Sequence, residues 1–275
     1  MSGTIARRRS SVVVLFLMLG TVSACSSVGS KTQSPGTAAP TNASGAATGS
    51  PSTACGMAHG SLSYRSVPAL TGPLRVAVYL PPCALANRTR RYPTIYLLHG
   101  AATDETQWPA IGLAVTADRL IVQHEIASVI VVMPRSGLDP GDSSVVDVVV
   151  PWADANLPTL AAKADRAIGG ISLGGGAAMR IVAAHPTLFS RLGGHSPVPS
   201  SQAILNQLAS WGGVVWLDVG NADGLLSSTE EMARTLQADH GREELHVWPG
   251  RHDRAYWGAH VADYLRFYAG SWTSR

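Results

Sequence analysis

Fourteen residues, Arg166 to Met179, constrain this chain more than any other stretch: Arg-Ala-Ile-Gly-Gly-Ile-Ser-Leu-Gly-Gly-Gly-Ala-Ala-Met. Within them Gly170-Ile171-Ser172-Leu173-Gly174 fits G-x-S-x-G, the pattern of a serine carried on a strained turn between a strand and a helix. So tight a turn crowds the residues two before and two after the serine, and glycine, which has no Cβ, fits there. The flanks supply the context. Ala167-Ile168 is a short apolar run entering from polar Asp165-Arg166, and Ala177 to Ala184 is alanine-rich and favours helix. A pattern with three fixed positions also occurs in strand-to-helix turns with an idle serine, so the chemistry of Ser172 rests on partners further along the chain.

The first residues read as a leader. Arg7-Arg8-Arg9 forms a positive n-region, and Val12 to Leu19 an apolar stretch too short to span a bilayer. Val22-Ser23-Ala24-Cys25 resembles the lipobox of bacterial lipoproteins, whose cysteine is acylated and becomes the new N-terminus. The expected organisation is a signal peptide over residues 1–24, a lipid-anchored Ser/Thr/Gly/Ala/Pro-rich tether over 25–54, and one folded domain over 55–275. The tether carries too little apolar surface to fold. The expected location is extracytoplasmic, on the membrane through Cys25, or secreted if the cysteine is not lipidated.

Removing the leader takes the basic residues from 21 to 18 against 18 acidic ones, so the remainder is near neutral. No basic stripe favours nucleic acid. With Cys25 assigned to lipid, Cys55 and Cys83 are left, a candidate disulfide in an oxidising compartment or two free buried thiols; their spacing fits no metal site. No sequence feature sets an oligomeric state.

The domain alternates apolar runs with helical patterns, which predicts a mainly parallel sheet with helices on both faces. Strands are expected at Leu74 to Leu80, as the edge strand of an opening hairpin, and at Thr94 to Leu98, Val129 to Met133, Val214 to Val219 and Glu244 to Trp248. Helices are expected at Ala114 to His124, Gly176 to His185, Ser228 to His240 and Ala255 to Tyr268. Only some two dozen residues separate Phe189 from Val214, which leaves little room for a large lid domain, and an open, shallow acyl site is expected.

Open α/β sheets place their sites at the C-terminal ends of strands. Asp223 stands in the loop just beyond the strand ending at Val219; its rival as an acid is Asp218, inside that strand. His252 follows the last strand in a Pro249-Gly250 loop, directly ahead of a helix. His246, His240 and His260 lie within or at the end of regular elements and have structural readings.

Several stretches together resemble the esterase D type of α/β-hydrolases, a group that takes in S-formylglutathione hydrolases, feruloyl and enterochelin esterases and the mycobacterial mycolyltransferases. They are Tyr96-Leu97-Leu98-His99-Gly100 followed by Trp108, Val131-Val132-Met133-Pro134, Arg166 to Gly176, His185-Pro186-Thr187-Leu188-Phe189, Asp218 to Leu226, and Pro249 to Asp253 with Tyr256-Trp257. The chain departs from many members at Gly193-Gly194-His195-Ser196, where they have Ser-Gly. His195 either approaches the site or is a satisfied structural histidine.

The resemblance implies an α/β-hydrolase fold and a triad in the order Ser172, Asp223, His252. It also implies an oxyanion hole made by the backbone amides of Ala101 and Leu173, with His99 shaping the loop. Trp108 and Trp257 lie near the expected site loops and are substrate-binding candidates, although tryptophan more often packs cores. The implied chemistry needs no metal or cofactor. The implied substrate is a small-molecule or glycolipid ester. Water as acyl acceptor makes an esterase, a sugar hydroxyl makes an acyltransferase, and an unused site would leave a tethered binding module.

Overall fold

A computed structural model describes residues 59–272 apart from 71, 88, 136–137 and 239–241. The expected leader and tether, with Cys25 and Cys55, lie outside the described residues. Cys83 is disulfide-bonded.

The chain runs β1 (Ser61–Val67), β2 (Leu74–Leu80), β3 (Thr94–Leu98), α1 (Gln107–Ala110), α2 (Leu113–Val122), β4 (Ile130–Pro134), a π-helical turn (Val145–Val149) continuing into α3 (Val150–Asn156), and β5 (Arg166–Ile171). It continues α4 (Leu173–Ala184), β6 (Arg191–His195), α5 (Gln202–Ala209), β7 (Val214–Gly220), α6 (Leu226–Ala238), β8 (Arg242–Trp248) and α7 (Arg254–Ala269). The strands form one eight-stranded sheet in the order β1-β2-β4-β3-β5-β6-β7-β8. β1 and β2 are antiparallel to their neighbours, and the ladder from β4 to β8 is parallel.

Strand alternation divides the core in two. On β3, Tyr96 and Leu98 point to one face, where they join Ala177 of α4, Leu205 of α5 and Met232 of α6. Ile95 and Leu97 point to the other, against Leu120 of α2 and Val261 and Leu265 of α7. A strand covered on both faces has no polar side to show, and β3, β4 and β5 are buried at every residue.

The expected edge strand is corrected: Leu74–Leu80 is internal, because β1 covers its free side and β4 pairs with it from Val76 to Tyr79. β1 is short of apolar residues and largely exposed, so its pattern is weak. Between β6 and β7 the chain builds only α5, with no lid domain there.

Candidate active site

β5 lies in the middle of the sheet between β3 and β6, and it delivers Ser172 at its C-terminal end. The Ser172 backbone takes φ 55° and ψ −115°, a conformation rare for a residue with a side chain. Its surroundings hold it there. The Ser172 N–H donates to the His195 carbonyl at 2.9 Å, while its own carbonyl accepts from the amides of Gly176 at 3.2 Å and Val198 at 3.1 Å. A Cβ on Gly170 would strike the Gly174 backbone, and one on Gly174 would strike the carbonyls of Leu98 and His99 at the end of β3. The glycines therefore let the turn close on itself and against the neighbouring strand.

β7 and β8 end beside it. Ser172 Oγ is 2.9 Å from His252 Nε2, and His252 Nδ1 is 2.8 Å from Asp223 Oδ2. A carboxylate at Nδ1 fixes the proton there and leaves Nε2 to accept from the serine hydroxyl. Asp223 is buried, and its other oxygen accepts the Leu225 N–H at 2.8 Å. The acid loop and the histidine loop are joined directly: the Ala222 N–H donates to the Gly250 carbonyl at 2.9 Å and the Gly250 N–H to Asn221 Oδ1 at 3.2 Å. Asp253, next to His252, caps α7 by accepting the Tyr256 N–H at 3.0 Å.

The loop after β3 approaches from the other side. A Cβ on Gly100 would stand 3.6 Å from that of Ser172. The Gly100 carbonyl accepts from His99 Nδ1 and Thr103 Oγ1, each at 2.8 Å, and the Gly100 N–H donates to Gln107 Oε1 at 2.7 Å. Because a trans peptide directs its C=O and N–H to opposite sides, pinning that carbonyl also fixes the direction of the Ala101 N–H. Leu173 is the first residue of α4, so its N–H has no acceptor within the helix.

Asp218, the rival acid, is engaged elsewhere. Its Oδ2 accepts from His195 Nδ1 at 2.6 Å and Trp216 Nε1 at 2.9 Å, and its Oδ1 from the hydroxyls of Tyr256 at 3.0 Å and Tyr264 at 2.9 Å. His195 is buried, with Nε2 at 2.9 Å from the Tyr268 hydroxyl, and is a satisfied structural histidine. Burial, then the Asp218 charge, pushes the Tyr264 and Tyr268 phenols well above the usual tyrosine range.

The two tryptophans separate. Trp108 is corrected as a substrate-binding candidate: it is 1% exposed, its indole N–H donates to the Leu98 carbonyl at 3.0 Å, and its ring packs edge-on against His195. Trp257 meets the His252 ring edge-on at 5.0 Å between centroids and donates to Ser196 Oγ at 3.3 Å. It also walls a groove of about 680 Å³ with Thr103, Gln107, Ile111, Arg135 and Arg254. The arginines escaped the sequence reading, although Arg254 stands two residues from His252. Among the described residues no three His, Cys, Asp or Glu side chains come together as a metal-holding group.

The chain is 32% identical over 141 residues to an endo-1,4-beta-xylanase/feruloyl esterase of Xylanibacter ruminicola, a match covering 45% of this chain and 19% of that protein. It is 29% identical over 138 residues to an esterase of Mycobacterium tuberculosis, covering 44% of this chain and 29% of that one. The chain thus matches less than a third of the length of either relative. A solved ferulic acid esterase superposes with a TM-score of 0.72 at 20% identity, over 76% of this chain and 98% of that one, which shows a shared fold. Residues 68–149 and 142–268 match the family described as Putative esterase, most of the domain that holds the Ser172, His252 and Asp223 side chains, and the chain belongs to that family of α/β-hydrolases.

Proposed function

We propose that this protein is a serine esterase that hydrolyses carboxylic esters through an acyl-enzyme on Ser172. The observation that carries the reading is the unbroken hydrogen-bonded line from Ser172 Oγ through His252 to Asp223, at 2.9 and 2.8 Å. Ser172 Oγ attacks the ester carbonyl carbon while its proton passes to His252 Nε2 and the carbonyl π pair moves onto oxygen. Asp223 keeps the imidazole oriented and balances its charged form. The amides of Ala101 and Leu173 are the donors for the oxyanion, and such a donor is typically worth roughly 100 to 1,000 fold in rate.

Collapse of that intermediate breaks the ester C–O bond, and His252 returns the proton to the departing alcohol oxygen. Water then attacks the acyl-Ser172 carbonyl with His252 as base, and releases the acid and the free serine. Esterase activity in family relatives supports this reading. A sugar hydroxyl in place of that water would make the same intermediate an acyl donor, and product analysis with added sugars separates the two outcomes.

The test is fluorophosphonate labelling and p-nitrophenyl ester hydrolysis, with Ser172→Ala beside wild type. Labelling at Ser172 and turnover lost in the variant support the reading; a folded wild type that neither labels nor turns over overturns it. Placement in the cell envelope rests on Arg7-Arg8-Arg9, the apolar stretch Val12 to Leu19 and Cys25. Cys25→Ala is expected to move the protein out of the membrane fraction.

A further inference from the structure

We propose that the groove walled by Trp257, the neighbour of His252, receives an anionic group carried by the ester, a carboxylate or phosphate held by Arg135 and Arg254. The inference rests on the esterase reading and adds the substrate class.

The groove is built from distant parts of the chain. Arg135 directly follows β4 and is anchored through its N–H to the Arg75 carbonyl at 2.9 Å. Arg254 opens α7, and its guanidinium hydrogen-bonds the Ala110 carbonyl on the far wall. Both side chains line the cavity, as does Trp257, which ties it to His252, and Ala102, which follows the Ala101 amide. The groove is thus one ring contact from His252 and one residue along the chain from the Ala101 amide.

The groove carries more positive than negative charge. Three guanidiniums elsewhere lie against carboxylates: Arg75 on Glu105 at 2.6 Å, Arg266 on Glu125 at 2.8 Å, and Arg166 on Asp154. Among the described residues neither Arg135 nor Arg254 enters an ion pair within 4.0 Å. The groove's own acid, Asp104, accepts the Thr106 Oγ1 at 2.6 Å and N–H at 3.0 Å. Those bonds hold its carboxyl below the usual range, so it stays ionised and offsets only one of the two cations. The net charge left in the groove is positive, in a domain that is otherwise near neutral.

The geometry suits an anion. A guanidinium offers five N–H donors in a planar fork that matches carboxylate and phosphate oxygens. The Ala110 carbonyl engages part of that fork on Arg254, which fixes the side chain before a ligand arrives and reduces the ordering that binding would impose. Trp257 and Ile111 give the same groove apolar wall for the body of the ester.

The test compares matched charged and neutral esters. p-Nitrophenyl hemiglutarate against p-nitrophenyl valerate places the carboxylate on the acyl side; 4-acetoxybenzoate against its methyl ester places it on the alcohol side. Wild type is expected to favour the charged member of at least one pair in kcat/KM, by roughly tenfold for charge-assisted hydrogen bonds. The pair that shows the preference tells which side of the ester enters the groove. Arg254→Gln and Arg135→Gln are expected to reduce the charged-to-neutral ratio several-fold each, Arg254→Glu to invert it, and added salt to shrink it in wild type.

Equal kcat/KM within both pairs, or ratios unmoved by all three variants, overturns the subsite while leaving the esterase reading intact. If wild type hydrolyses none of the four, the esterase reading is decided by fluorophosphonate labelling of Ser172, and the subsite by calorimetric titration of Ser172→Ala protein. Binding of 4-acetoxybenzoate that Arg254→Gln abolishes, with weaker binding of its methyl ester, supports the subsite; equal or absent binding of both overturns it.

Discussion

Asp218 and Asp223 lie five residues apart, and each holds the Nδ1 of a histidine, at 2.6 Å for His195 and 2.8 Å for His252. What separates their roles is the second ring nitrogen. That of His195 meets the Tyr268 hydroxyl in the core, whereas that of His252 meets Ser172 at the surface. Asp223→Asn is therefore expected to leave the fold intact and lower kcat by roughly 1,000 to 10,000 fold, through loss of the correct imidazole tautomer. Asp218→Asn removes the charge that four donors converge on, and its effect is expected in stability, about 3 kcal/mol or more. Urea midpoints and p-nitrophenyl ester kinetics on the two variants check this; an active-site loss in folded Asp218→Asn equal to that of Asp223→Asn would contradict the assignment.

Trp108 and Trp257 are expected to fail in different assays. Trp108→Ala opens a cavity between β3 and α7, where truncating a buried aromatic typically lowers stability by about 3 to 5 kcal/mol. Trp257→Ala removes a wall of the groove and the edge contact to His252, so KM and kcat are expected to change together with a smaller loss of melting temperature. Thermal denaturation and Michaelis–Menten kinetics on both variants separate the two roles, and matching profiles would contradict them.

The elbow and the order of its partners were legible because each is local. Glycine spacing marks the turn, and strand ends deliver Asp223 and His252 within a few residues of an apolar run. The network around Asp218 was not legible, since its donors come from β6, β7 and α7 and meet only once the sheet forms. Trp108 illustrates the same limit: proximity in sequence to a site loop does not say which side of β3 the ring takes. Val145 to Val150 has five valines in six residues, a composition that favours strand, yet it winds into a helix that buries Val145, Val149 and Val150 against the sheet. Tertiary burial outweighs local preference there.

The paired glycines Gly169 and Gly193, neighbours in the β5–β6 register, make room for the Tyr268 hydroxyl. A Cβ at either would collide with that oxygen, which is also the partner of His195 Nε2. Gly193→Ala is expected to destabilise by several kcal/mol through overpacking and loss of that hydrogen bond. Because the clash and the bond share one atom, Tyr268→Phe in the Gly193→Ala background is expected to lower stability by less than it does in wild type. A double-mutant cycle by chemical denaturation measures this coupling, and strict additivity would contradict it.

The same phenols predict how the protein fails in alkali. Burial and the Asp218 charge hold Tyr264 and Tyr268 in the neutral form far above the ordinary tyrosine range, whereas in the unfolded chain they ionise near pH 10. A pKa raised by folding gives stability that is complete below the unfolded value and drains away as pH climbs past it. Each of the two is then expected to subtract roughly 1.4 kcal/mol per pH unit above about pH 10. Ionisation of these phenols, read as tyrosinate absorbance, should coincide with loss of the fold, and Tyr264→Phe should make the loss of stability with pH less steep. Full tyrosinate absorbance from a protein that keeps its native circular dichroism would show that the network around Asp218 does not hold these phenols protonated.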